Sequence, residues 1–165
     1  VAPITTEADP RDRPVPAAKR DRDNDTDNNS DDGKVLAFGH AAGAADAQAL
    51  VALVTSYYRA AAREDGARAC SMLYPFVAES IVEGYGQQAS LRGDTCAAVM
   101  RKLFRQRHSA LVRDSPTLDV TAVRVDGNKA LVVLTFATAP EIRQIPERRG
   151  SNGWKMLNVI DGIVE

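Results

Sequence analysis

Histidine, cysteine and aromatic residues are scarce in this chain, and each shortage removes a class of chemistry. The two histidines, His40 and His108, have no finger-like spacing to a cysteine, which leaves no pattern for a zinc site. The two cysteines, Cys70 and Cys96, lack the Cys-x-x-Cys spacing that tunes a thiolate for redox work. Aromatics make up 5% of the residues and do not interleave with the basic positions as a nucleic-acid stacking surface requires. No stretch approaches the roughly 20 apolar residues that a membrane-crossing helix needs. Neither a metal nor a cofactor is expected.

The cysteines that are present carry the most information. Each falls on the apolar side of a segment that reads as an amphipathic helix. An even, minimal count at helix positions that should pack together predicts a disulfide, with two buried free thiols as the alternative. A bridge implies an oxidising compartment and contributes about 3 kcal/mol, mainly by restricting the unfolded chain.

The 44% hydrophobic content hides a break in composition. Val1 to Lys34 holds nine acids and six bases, with only Val1, Ile4 and Val15 as core formers. Such a segment cannot bury enough apolar surface to offset its ordering entropy. Residues 1–43 are therefore expected to be a disordered Asp/Arg/Pro-rich tail and lead-in, and residues 44–165 a folded domain. The acids of the tail do not make a calcium loop. Counting from Asp23, the positions that need glycine and a bidentate glutamate hold Asn28 and Lys34. The other 13 acids and 15 bases leave the folded part close to neutral, with no electrostatic case for nucleic acid. The chain starts at valine, and the tail and cysteines together predict a removed secretion signal or lipoprotein anchor, with the domain tethered outside the cytoplasm.

Asp46 is the expected N-cap of a first helix reaching about Asp65, with Leu50, Val54, Tyr57, Tyr58 and Ala61 on its buried face. A second helix from Ala67 bends at Pro75 and ends near Glu83. A short strand is expected around Ala89 to Arg92. Asp94 or Thr95 caps a third helix, where Cys96, Val99, Met100, Leu103 and Phe104 recur at helical spacing, and His108 marks its end. Beyond Pro116 the period becomes extended. Leu118 to Val125 and Lys129 to Thr138 flank Asp126-Gly127-Asn128 as a hairpin with a left-handed glycine. Pro140 and Pro146 push Glu141 to Arg149 toward an edge or a bulged strand, and Trp154 to Ile160 is the last strand. Three helices followed by a meander predict an α+β domain.

This order resembles the nuclear transport factor 2-like superfamily, a cystatin-like α+β cone, over about residues 44 to 162. The residues that carry the resemblance are the Tyr57-Tyr58 pair, the Leu91-Arg92-Gly93 step into a helix, the Val123 to Asn128 hairpin and Gly153-Trp154-Lys155. With Phe38-Gly39-His40 before the first helix and a cysteine in each of the next two helical regions, the chain is most similar to extracytoplasmic actinobacterial members. The resemblance implies three N-terminal helices packed on a curved, mainly antiparallel sheet that rolls into a cone around an apolar pocket.

Because members of that superfamily include enzymes and binding modules alike, the resemblance leaves function open. An isomerase, dehydratase or cyclase of this kind would use Glu83 or Asp119 as the base and Tyr57, Tyr58 or Tyr85 as the hydrogen-bond donor. The leading expectation is a non-catalytic domain that binds a small apolar ligand or a protein partner through Tyr57, Tyr58, Tyr85, Trp154 and Asn158. A homodimerisation module is the remaining alternative. Asp161 is a weaker candidate for the same pocket, and His40, before the first helix, is expected either to dock on the cone or to remain mobile.

Overall fold

A computed structural model describes residues 35–159 of the chain, so the tail over 1–34 and the candidate Asp161 lie outside the described residues. Helix α1 (Ala44–Ala62) buries Leu50, Val54, Tyr57, Tyr58, Ala60 and Ala61, the face that its apolar spacing dictates. Its N-cap is Gly43, which offers no side-chain hydrogen bond. Asp46, expected in that role, lies in the first turn instead and reaches across to Arg149 and Trp154.

Glu64 ends the helical path in a left-handed conformation, with φ of 55°. Asp65 then caps α2 (Gly66–Met72) by accepting from the Arg68 N–H at 3.0 Å. The single bent helix expected here is two helices. Pro75 disfavours helical backbone at the preceding residue, and Leu73 and Tyr74 are extended. Leu73 forms an isolated parallel bridge with Met156, and the Tyr74 N–H donates to the Met156 carbonyl at 2.8 Å. Pro75 opens α3 (Pro75–Gly84). Residues 89–92 form a turn and not the expected strand.

Thr95 caps α4 (Cys96–Gln106), its hydroxyl accepting from the Ala98 N–H at 3.2 Å. The buried residues Val99, Met100, Leu103 and Phe104 form the stripe read from the sequence. Cys70 in α2 and Cys96 in α4 are joined by a disulfide, with Cα atoms 6.1 Å apart across a sequence separation of 26. His108 does not close α4. It opens a further helix, α5 (His108–Asp114), which buries Leu111 before a short 3-10 turn at Ser115–Thr117.

The sheet holds β1 (His40–Ala41), β2 (Leu118–Asp126), β3 (Lys129–Phe136), β4 (Ala139–Gly150) and β5 (Gly153–Met156), antiparallel and in sequential order. Gly127, with φ of 59°, makes the tight turn between β2 and β3 at little conformational cost. β4 is neither an edge nor short. Its register runs Lys129 to Arg148 and Leu134 to Arg143 against β3, and Glu147 to Met156 against β5. Pro146 is tolerated because its nitrogen, which has no N–H to donate, faces the chain just past the end of β5 at Met156, on the side where its carbonyl accepts from the Leu157 N–H at 2.9 Å. The last strand ends at Met156, short of the expected Ile160.

This sheet is open, which overturns the nuclear transport factor 2-like, cystatin-like cone. β1 and β5 are the two edges and do not pair with each other. At two and four residues they are too short to wrap over a helix. The domain is α+β with an antiparallel sheet, as the change of period implies, but it has more helices than the three expected. One sheet face is packed with Val125, Ala130, Val132, Leu134, Phe136, Ile145, Trp154 and Met156, all within the same buried cluster as the apolar face of α1. The rings of Tyr58 and Phe136 meet edge to face at 5.2 Å across that layer. Helix side chains thus occupy the place where a conical pocket was expected.

The chain ahead of α1 is tied to the sheet. The Arg124 guanidinium donates to the carbonyls of Leu36, Phe38 and Gly39, each at 2.9 Å. Gly39 has φ of 49°, and a Cβ there would stand 2.2 Å from the Val125 carbonyl oxygen. Only glycine fits that approach.

Candidate functional site

The structure disperses the residues singled out in the sequence. Tyr57 and Tyr58 are buried on α1, their rings edge to face at 6.1 Å, and Tyr57 also meets Phe104 at 6.2 Å. Glu83, at the end of α3, and Asp119, near the start of β2, are both exposed. The acids proposed as bases are therefore on the surface, while the phenols of Tyr57 and Tyr58 lie in the core. Tyr85, the C-cap of α3, and Asn158, beyond β5, are half-buried. His40 is exposed on β1. His108 places Nδ1 3.0 Å from Glu64, which also accepts from Arg105 Nε at 3.1 Å.

Trp154 does take part in a polar cluster. Its indole N–H donates to Asp46 at 3.0 Å, the Arg149 guanidinium donates to the same carboxylate oxygen at 2.6 Å, and that guanidinium lies 4.4 Å over the indole ring. The Trp154 hydrogen bond, followed by Arg149, holds the Asp46 carboxyl below its ordinary range against partial desolvation. These contacts pin the start of α1 to the β4–β5 turn.

The sequence reading missed Glu147. This residue is 0% exposed, on the inner face of β4 beside Ile145, opposite Ala130 on β3 and Met156 on β5. Neither of its carboxyl oxygens has a hydrogen-bond partner among the described residues. Burial alone pushes its pKa up to about 9, so the group is neutral at physiological pH. Strand alternation carried the signal, because Ile145 and Glu147 share a face two residues apart. A neutral carboxylic acid in such a place can donate a proton or a hydrogen bond, and it is costly to ionise.

Concave sites among the described residues lie elsewhere on the surface, one of them a shallow hollow along α1 between Ala47 and Arg59. A cleft of about 340 Å³ opens between the end of α2, the start of α3 and the β4–β5 turn. Cys70, Tyr74, Pro75 and Ala78 form one wall, and Asn152 and Lys155 face them. The Lys155 ammonium bonds the Ser71 carbonyl at 2.6 Å, and Arg148 stacks 5.4 Å over Tyr74. A second pocket of about 290 Å³ sits at the junction of α1 and α2. Among the described residues no group of three or more His, Cys, Asp or Glu is arranged to hold a metal ion, and no helix is long and apolar enough to cross a membrane.

No family model, curated protein sequence or solved structure matches this chain.

Proposed function

We propose that the chain is an extracytoplasmic, non-catalytic binding domain that holds a small ligand or a segment of a partner in the cleft beside its disulfide. The observation that carries this reading is the position of the Cys70–Cys96 bridge. It fixes α2 against α4, and Cys70 itself lines the cleft wall. A covalent brace that also shapes a concave surface suits a domain working where thiols stay oxidised. The cleft mixes the apolar surfaces of Leu73, Pro75 and Ala78 with the polar ends of Tyr74, Asn152 and Lys155, the composition of a recognition site. The exposed positions of Glu83 and Asp119, against the buried positions of Tyr57 and Tyr58, support a role without catalysis.

The test combines location and binding. Fractionation with thiol trapping should recover the protein outside the cytoplasm with both cysteines oxidised. Mass spectrometry of material purified natively should detect a co-purifying ligand or partner that is lost when Ala78→Trp fills the cleft. Reduced protein in the cytoplasm would refute the reading, as would a ligand indifferent to Ala78→Trp.

A further inference from the structure

The pocket at the α1–α2 junction is lined by Ser56, Arg59, Ala60, Arg63, Asp65 and Arg68. Arg59 and Arg63 stand one turn apart at the end of α1, so their side chains rise from the same face. Arg68 enters from the first turn of α2. All three are exposed, and none of their guanidiniums has a hydrogen bond or ion pair among the described residues.

Four other arginines of the domain are engaged, whereas Arg92, Arg101 and Arg107 are exposed like the pocket arginines. Arg105 pairs with Glu64, Arg113 with Asp114 and Arg149 with Asp46, while Arg124 binds carbonyls. Asp65 places one carboxylate in the lining while it caps α2, offsetting one of the three positive charges, and Glu64 turns to Arg105 and His108. The end of α1 favours cations at Arg59 and Arg63 through its dipole, but that explanation reverses for Arg68 at the beginning of α2. The lining therefore keeps an excess of positive charge around one concavity, which a further anion would relieve.

We infer that this pocket binds a phosphate-type dianion, with Arg59, Arg63 and Arg68 as its ligands and the Ser56 hydroxyl as a further donor. Guanidinium forks match tetrahedral oxyanions with paired hydrogen bonds, and a volume of about 290 Å³ admits a phosphate together with part of the group that bears it. The site is separate from the cleft beside the disulfide and does not depend on that assignment. The phosphate belongs either to a free small molecule or to a lipid headgroup.

Calorimetry on the full oxidised chain, with inorganic phosphate as titrant, and flotation with vesicles containing phosphatidic acid distinguish these sources. Saturable binding to phosphate at one site is expected, weakened about tenfold or more by Arg63→Gln or Arg68→Gln and untouched by Arg101→Gln, which lies outside the pocket. Binding to the vesicles alone with the same dependence on Arg63 and Arg68 supports the lipid source. Arg68→Lys should recover part of the affinity, because charge persists while the paired geometry is lost. Binding of neither probe, or equal weakening by Arg101→Gln, overturns the inference. Circular dichroism on each variant establishes that the fold is retained.

Discussion

Glu147 dominates the residue scale because its cost depends on pH. Its native pKa of about 9 lies above the ordinary value of 4.5, so the folded state holds a proton that the unfolded state releases. Stability is therefore greatest below about pH 4.5 as far as this group is concerned, and falls as pH rises toward 9. The slope is about 1.4 kcal/mol per pH unit, or roughly 4 kcal/mol between pH 4.5 and 7.5. Urea denaturation of Glu147→Gln across that range should show the slope removed, and Glu147→Leu should be more stable than the parent at pH 8. An unchanged slope in both variants would show that the carboxyl is solvated. Asp46 has the opposite sign. Its lowered pKa gives stability that is present above the ordinary carboxylate range and is lost as pH falls through the native value. Asp46→Ala should lower the melting temperature at pH 7 and shift Trp154 fluorescence to longer wavelength, since the indole loses its acceptor and the start of α1 loosens from the β4–β5 turn.

At the scale of elements, the caps and the Arg124 contacts decide where the chain changes direction. Thr95→Ala removes the acceptor for the Ala98 N–H and should destabilise the protein by about 1 kcal/mol, measurable by chemical denaturation. Arg124→Ala should leave the core intact and increase amide exchange at Phe38 to Ala41, because three carbonyls of that segment lose one donor group. Elements with strong local signals were legible in the sequence. The face of α1, the stripe of α4, the Thr95 cap and the Gly127 turn all follow from spacing or backbone chemistry. Features settled by distant partners were not. Asp46 has the composition of a cap but is drawn to Trp154, whose distance along the chain no local pattern encodes. Leu73 and Tyr74 leave helical geometry because Met156 offers a backbone partner. Pro140 and Pro146 argue for an edge or a bulged strand; β4 keeps neighbours on both sides because the Pro146 nitrogen falls past the end of β5, and its register against β3 does shift between Leu134 and Phe136. Glu147 was legible by alternation, but burial of an unpartnered acid contradicts the usual preference for water and is invisible without the fold.

For the whole molecule, the helical layer depends on one covalent brace. Closing a loop across the separation of 26 should contribute about 3 to 4 kcal/mol. Reduction of the oxidised protein should shift its urea midpoint down accordingly, and Cys70→Ser with Cys96→Ser should reproduce the shift without any further effect of reductant. The second face of the sheet, opposite α1, carries the buried Val133, the half-buried Leu131, Thr135, Gln144 and Pro146, and Ile142 at 44% exposure. The change of hydrophobic period was enough to separate a helical layer from a sheet, and so to give α+β. Openness was not encoded in that period, because closure depends on strand length at the edges, which the alternation of the central strands does not report.

The shortness of those margins bears on behaviour in crowded solution. A foreign strand zips onto a sheet by finding a long row of unsatisfied amides and carbonyls, and here β1 covers β2 only at Arg124 and Val125 while Leu73 and Tyr74 already occupy part of the other margin. Strand addition to the native state is thereby narrowed to the 118–122 stretch of β2, where the register shifts between Val120 and Ala122, and on the other side requires prior detachment of the α2–α3 connection from β5.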